Sequence, residues 1–227
     1  MTDQDDHIFL SHPGPHPEVA ERLARTESML TAMQDAMGDL QVNPQDLRAT
    51  VTFDALLITM QHGDAIRILI SADLGPSAIG VLRMQYESLL RAVWALFAAS
   101  ESSLAKLAAP LTPGTLKAAK NMGMPQDLLE AVEASPAPAD IKRNLREFRT
   151  SSWDVLNSSI HAGLHALRRS EGALPQELLT TLIMANALTY TTIALMTIVG
   201  GQANRQRELN VIAVSFPDCM PARHHPA

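Results

Sequence analysis

Apolar positions along this chain recur mainly at spacings of three and four, the period of a helix packed on one side. Val19, Leu23, Thr26, Leu30, Met33 and Met37 alternate those spacings, so they predict an amphipathic helix that begins at Pro17 and that Gly38 closes. In "NPQD", Asn43 is the expected cap, Pro44 fits a first helical turn and Asp46 favours the positive end, which predicts a second helix running toward Ile70, eased at Gly63. "DLGPS" at residues 73–77 breaks the chain, and a third helix restarts at Pro76 and extends to about Ser100. Its apolar stripe is Ile79, Leu82, Tyr86, Leu89, Leu90, Val93 and Phe97.

Two short helices are expected between Pro110 and Pro138, since "TPGTLKAAKNMG" ends on a glycine and "MPQDLLEAVEA" starts on a proline. "SPAPA" then forms an elbow before a long helix from about Asp140 to Arg169, stopped by Gly172. The last long segment, "LLTTLIMANALTYTTIALMTIV" from Leu178 to Val199, carries no charge over 22 residues. That length suits a membrane span, but six threonines and Asn186 interrupt it, and it is expected to be the central helix of a soluble bundle instead. The prediction is an all-α helical bundle of about five long helices with short additional ones, the Pro76 and Leu178 helices innermost. Residues 1–16 are expected to form a flexible N-terminal segment, 17–210 a single domain, and 211–227 an extended C-terminal tail.

Composition narrows the classes of function. The 18 lysines and arginines against 24 aspartates and glutamates leave a net charge of -6, which argues against a broad nucleic-acid footprint and against a polybasic membrane patch. A single cysteine, Cys219, leaves no intrachain disulfide framework, and with no basic-then-apolar leader at the start a cytoplasmic setting is expected. No glycine-rich nucleotide loop occurs, so no cofactor is expected.

Three polar constellations stand out. In "RMQYESLLRAVW", Arg83, Glu87 and Trp94 fall within about 40° of one another beside the apolar stripe, with Arg91 further round. They form either a surface ladder or, enclosed by a second helix, a pair of guanidinium forks that Glu87 orients for a carboxylate or phosphate. In "NSSIHAGLH", His161 and His165 lie four apart on a continuous helix, but the residue after the first histidine is Ala162 rather than the glutamate of zinc proteases, so no metal is expected. Ser158, Ser159, Ala162 and Gly163 are small enough to let a backbone or a ligand approach His161. In "QHGDAIR", beside His62, Asp64 and Arg67 are expected to form a rim or buried ion pair.

With "LLITMQHGDAIRILI", "SAIGVLRMQYESLLRAVW" and "SSIHAGLHALRR", residues 50–200 resemble an uncharacterised family of helical bacterial proteins of unknown function. Its helix with an arginine, a glutamate, an arginine and a tryptophan, and its later histidine-glycine element, match Arg83, Glu87, Arg91, Trp94, His161 and Gly163, which the resemblance makes its signature positions. More remotely the chain is similar to the HEPN-type nucleotide-associated bundles that include bacterial defence ribonucleases. Their catalytic arginine and histidine stand four to six residues apart; here Arg143 has no histidine at that distance and Arg149 precedes His161 by twelve. The expected function is a binding or regulatory module of stress or defence type, holding an anionic small ligand or nucleotide with Arg83, Glu87, Arg91, Trp94 and His161, and association into a homodimer is expected. The alternatives are a phosphodiester- or nucleotide-acting enzyme with His161 as acid or base, and a purely structural interaction protein.

Overall fold

In a computed structural model of the chain, residues 14–119, 123–161, 163–169 and 172–222 are described. The described residues are helical with no strand. Five helices of 21 to 25 residues carry the fold: α1 (Pro17–Met37), α2 (Leu47–Ser71), α3 (Gly75–Phe97), α7 (Ala139–Ile160) and α9 (Pro175–Val199). Shorter helices join or flank them: α4 (Glu101–Ala108), α5 (Pro113–Ala119), α6 (Pro125–Ala134), α8 (Leu164–Arg168) and α10 (Gln206–Ser215). The expected flexibility of residues 1–16 falls mostly outside the described residues; within them, the His16 imidazole accepts from the Glu18 N–H at the start of α1.

Prolines at the first or second helical position set several starts, as at Pro17, Pro76, Pro125 and Pro175, because a missing N–H costs nothing where no intrahelical acceptor exists. Two caps differ from the expected ones. Asp46, not Asn43, caps α2 by accepting from the Ala49 N–H, while Asn43 accepts from Gln45 one turn earlier. The helix expected to reach Ser100 stops at Phe97, since the Ser100 hydroxyl caps a separate α4 through the Ser103 N–H.

Helices α2, α3 and α9 form the centre, with α1 and α10 packed on one side and α6 and α7 on the other. The α3 stripe buries Leu82, Tyr86, Leu89, Leu90 and Val93 almost completely. A second apolar cluster joins Met29, Leu30 and Met33 of α1 to Ile193, Leu209, Ala213 and Cys219. Helix α9 is long and apolar enough to cross a membrane, and 56% of its most apolar window is buried against its neighbours. Its threonines fit this setting because several return their hydroxyls to the carbonyl one turn back, as Thr181 does to Glu177 and Thr192 to Leu188.

The centre is not wholly apolar. Gln85 of α3, fully buried, donates to the Ala185 carbonyl and to the Thr189 hydroxyl of α9. Gly63 of α2 faces this pair so closely that a β-carbon there would lie 2.8 Å from Thr189 Oγ1 and 2.9 Å from Gln85 Nε2. The glycine is thus explained by interhelical approach. Nearby, Arg67 pairs with Asp64 and with Glu27 of α1 (3.1 Å), the expected ion pair extended across two helices.

The chain from 211 departs from the expected extended tail, although residues 223–227 lie outside those described. Residues through Ser215 continue α10, burying Leu209 and Ala213, because an isolated extended segment has no strand with which to share backbone bonds. Residues 216–222 then fold back on α1. Arg25 grips the Asp218 carboxylate with two hydrogen bonds of 2.6 and 2.8 Å, and Asn186 donates to the Cys219 carbonyl.

Candidate functional site

Tyr86 and Arg83 of α3 meet α7 rather than solvent. Tyr86 stacks on Phe148 of α7, rings 4.7 Å apart and nearly parallel, and its hydroxyl donates to the Leu145 carbonyl. Burial pushes the Tyr86 phenol up to about 12, since no water is there to solvate a phenolate. Trp153, two turns along α7 from Leu145, presents its edge to Tyr86 at 6.3 Å.

One turn before Tyr86 on the same side of α3, the Arg83 guanidinium is held by three groups. Its Nε donates to Glu87 at 2.7 Å, its Nη1 to the Asn157 side chain of α7 at 2.5 Å, and its carbon lies 4.4 Å from the centroid of Trp153. Glu87 thus pairs with Arg83 one helical turn away, a contact that both alternatives for this band contain. Arg149 approaches the same indole at 3.9 Å. It forms no ion pair with any described residue, and its Nη1 is buried without a hydrogen-bond partner. A buried donor without an acceptor is costly, so Arg149 is the group in this region with an unmet requirement.

Arg149 and Trp153 open onto a cleft of about 370 Å³ between α6 and α7. Gln126, Leu129 and Glu133 form the α6 wall; Arg146, Thr150 and Asp154 complete the α7 wall. At one end Arg146 donates to Glu133 at 2.6 Å, which raises the arginine's affinity for its proton through hydrogen bonding and charge. Asp154 is exposed and forms no ion pair with a described residue.

The sequence-predicted residues divide. Arg83 and Glu87 come together at the α3–α7 contact. Arg91 is half-buried one turn further on and makes no ion pair with a described residue, so the three-charge ladder stops at two. Trp94 is packed in the main core, 9% exposed, where it covers apolar neighbours and no polar group of the cleft. His161 is not inside a continuous helix: α7 ends at Ile160, His161 is its exposed C-cap, and its N–H donates to the Asn157 carbonyl. His161 and His165 therefore do not share one helical face, and among the described residues no three metal-ligating side chains cluster.

The break has a local cause. The Gly163 N–H donates to the Ser158 carbonyl at 2.7 Å, and the Ser158 hydroxyl accepts from the His165 N–H. A β-carbon at Gly163 would lie 2.6 Å from Ser158 Oγ and 3.0 Å from its carbonyl oxygen. The small residues here accommodate the chain's own turn. Past it, Arg169 holds Glu177 by a fork of 2.7 to 3.0 Å, and that carboxylate, held below the usual range, also caps α9 through the Leu174 N–H.

The residues missed from sequence are Arg149, Trp153, Asp154 and Asn157. Arg149, Trp153 and Asn157 repeat at intervals of four, the same signal that singled out Arg83 and Glu87, so they share one face of α7. Comparison with curated proteins and with solved structures gave no match. One family model does match, over residues 56–222, a span that includes α3, α6, α7, α9 and every residue of the cleft: the chain belongs to the family of unknown function DUF6988.

Proposed function

We propose that this protein is a ligand-binding module whose site is the α6–α7 cleft, with the Arg149 guanidinium as anchor for an anionic head group. The observation that carries this reading is the buried, unpartnered Nη1 of Arg149 beside an open cleft. A carboxylate or phosphate oxygen supplies the missing acceptor once the guanidinium turns its buried Nη1 toward the cleft that Arg149 lines, and a guanidinium fork suits either. Arg83, tied to Glu87 and Asn157, acts on this site through Trp153, whose indole it helps to fix. Binding is favoured over turnover because His161, the proposed acid or base of an enzyme, is not among the residues lining the cleft.

Thermal shift and calorimetry with acetate, inorganic phosphate, hexanoate and adenosine monophosphate test the reading. A probe at about one hundred times its Kd adds ~2.7 kcal/mol, roughly a 5–10 °C rise in Tm for a chain of this size. The rise is expected for at least one probe and should vanish in Arg149→Gln. No shift with any probe, or an equal shift in that variant, refutes the anchor.

A further inference from the structure

The cleft contains four charged side chains: Arg146, Arg149, Glu133 and Asp154. Arg146 and Glu133 are bonded to each other at 2.6 Å and so cancel locally. The charges that remain are one positive and one negative, Arg149 and Asp154, and neither forms an ion pair with a described residue. A ligand bearing only negative charge satisfies Arg149 but meets Asp154, and a polyanion meets Glu133 as well. A ligand with one charge of each sign meets both requirements.

Helix geometry sets the spacing. Arg149 and Asp154 are five residues apart on α7, a rise of about 7.5 Å with about 140° of rotation between them, so they stand apart along and around the α7 wall of the cleft. Thr150 and Trp153 lie between them on α7, and Leu129, 4% exposed, faces them from α6. The surface joining the two charges is thus the Trp153 ring beside the Thr150 side chain, within a lining of mixed polarity. An α-amino acid carries its two charged groups on one carbon and reaches only one of the two residues; a zwitterion with several methylenes between its ends reaches both.

We propose that the cleft recognises a small, extended zwitterion of the ω-amino acid class, its carboxylate on Arg149, its ammonium on Asp154 and its methylenes along Trp153 and Leu129. The inference rests on the anchoring role proposed above for Arg149 and adds the second pole. It also makes Asp154 a specificity-determining residue, since it distinguishes an amino acid from the plain acid of equal length.

The test compares 6-aminohexanoate with hexanoate by calorimetry and tryptophan fluorescence on the full chain. Wild type is expected to bind 6-aminohexanoate about two- to fivefold more tightly than hexanoate, the range for an exposed charge pair. In Asp154→Asn the two should converge, with hexanoate binding unchanged or improved; Asp154 is exposed, so helical content checked by circular dichroism should stay the same. Arg149→Gln should weaken both. Equal affinity of the two acids in wild type, or a preference that survives Asp154→Asn, overturns the zwitterion while leaving the anion anchor standing. If neither acid binds but phosphate or adenosine monophosphate does so through Arg149, the zwitterion is again overturned; if no probe binds, both proposals fall together.

Discussion

Arg149→Met separates a residue kept for binding from one kept for stability. In the free protein the Arg149 Nη1 is buried without an acceptor, which costs ~1–3 kcal/mol, while stacking on Trp153 at 3.9 Å returns ~0.5–2 kcal/mol. Methionine keeps a flexible apolar stem along the same path and removes the unmet donor. The two ranges overlap, and their centres differ by ~0.5–1 kcal/mol in favour of the variant. Arg149→Met is therefore expected to be neutral or more stable by that amount, a rise of about 1–4 °C in Tm. Urea unfolding followed by far-UV circular dichroism measures it, with an unchanged slope confirming that the unfolding transition itself is the same. A loss of about 1 kcal/mol or more means that Arg149 supports the fold, and the case for an unmet requirement fails. The same variant should lose the ligand-dependent rise that wild type shows, so stability and binding move in opposite directions.

Two further outcomes follow from the packing. The Tyr86 phenol, raised from 10.0 to about 12, stays neutral in the fold, so its contribution to stability is complete below pH 10 and is lost as pH rises from 10 toward 12; a tyrosinate absorbance step near pH 12 should be missing in Tyr86→Phe, and a Tyr86 step near pH 10 with the helices intact would contradict the burial account. Gly63→Ala gains up to ~1 kcal/mol in helix propensity but forces Thr189 and Gln85 apart at a cost of ~1–3 kcal/mol and disturbs their hydrogen bond, so a net loss of ~1–2 kcal/mol is expected by urea unfolding, and a more stable variant would show that α2 and α9 can separate freely.

The all-helical class was legible because helix period, proline starts and glycine stops are local properties of a chain. Val19 to Met37 and the α3 stripe became buried faces where their spacing placed them, and the apolar Leu178 segment lies within a central helix, α9. The pairing of Arg83 with Glu87 was equally local, being one helical turn. What surrounds those residues was not. A period of four identifies a face but not the face opposite it, so Trp94 was singled out and Trp153 was not, and only helix packing sent the first into the core and the second to the cleft. The break at His161 depended on a single close approach, Gly163 against Ser158, that no propensity records. The sequence by itself thus determined the helices and their apolar faces, through interactions spanning a few residues. Only the tertiary structure decided that the Arg149 Nη1 would be buried without a hydrogen-bond partner while Arg83 and Arg146 each found one, because those partners, Asn157 and Glu133, lie on other helices.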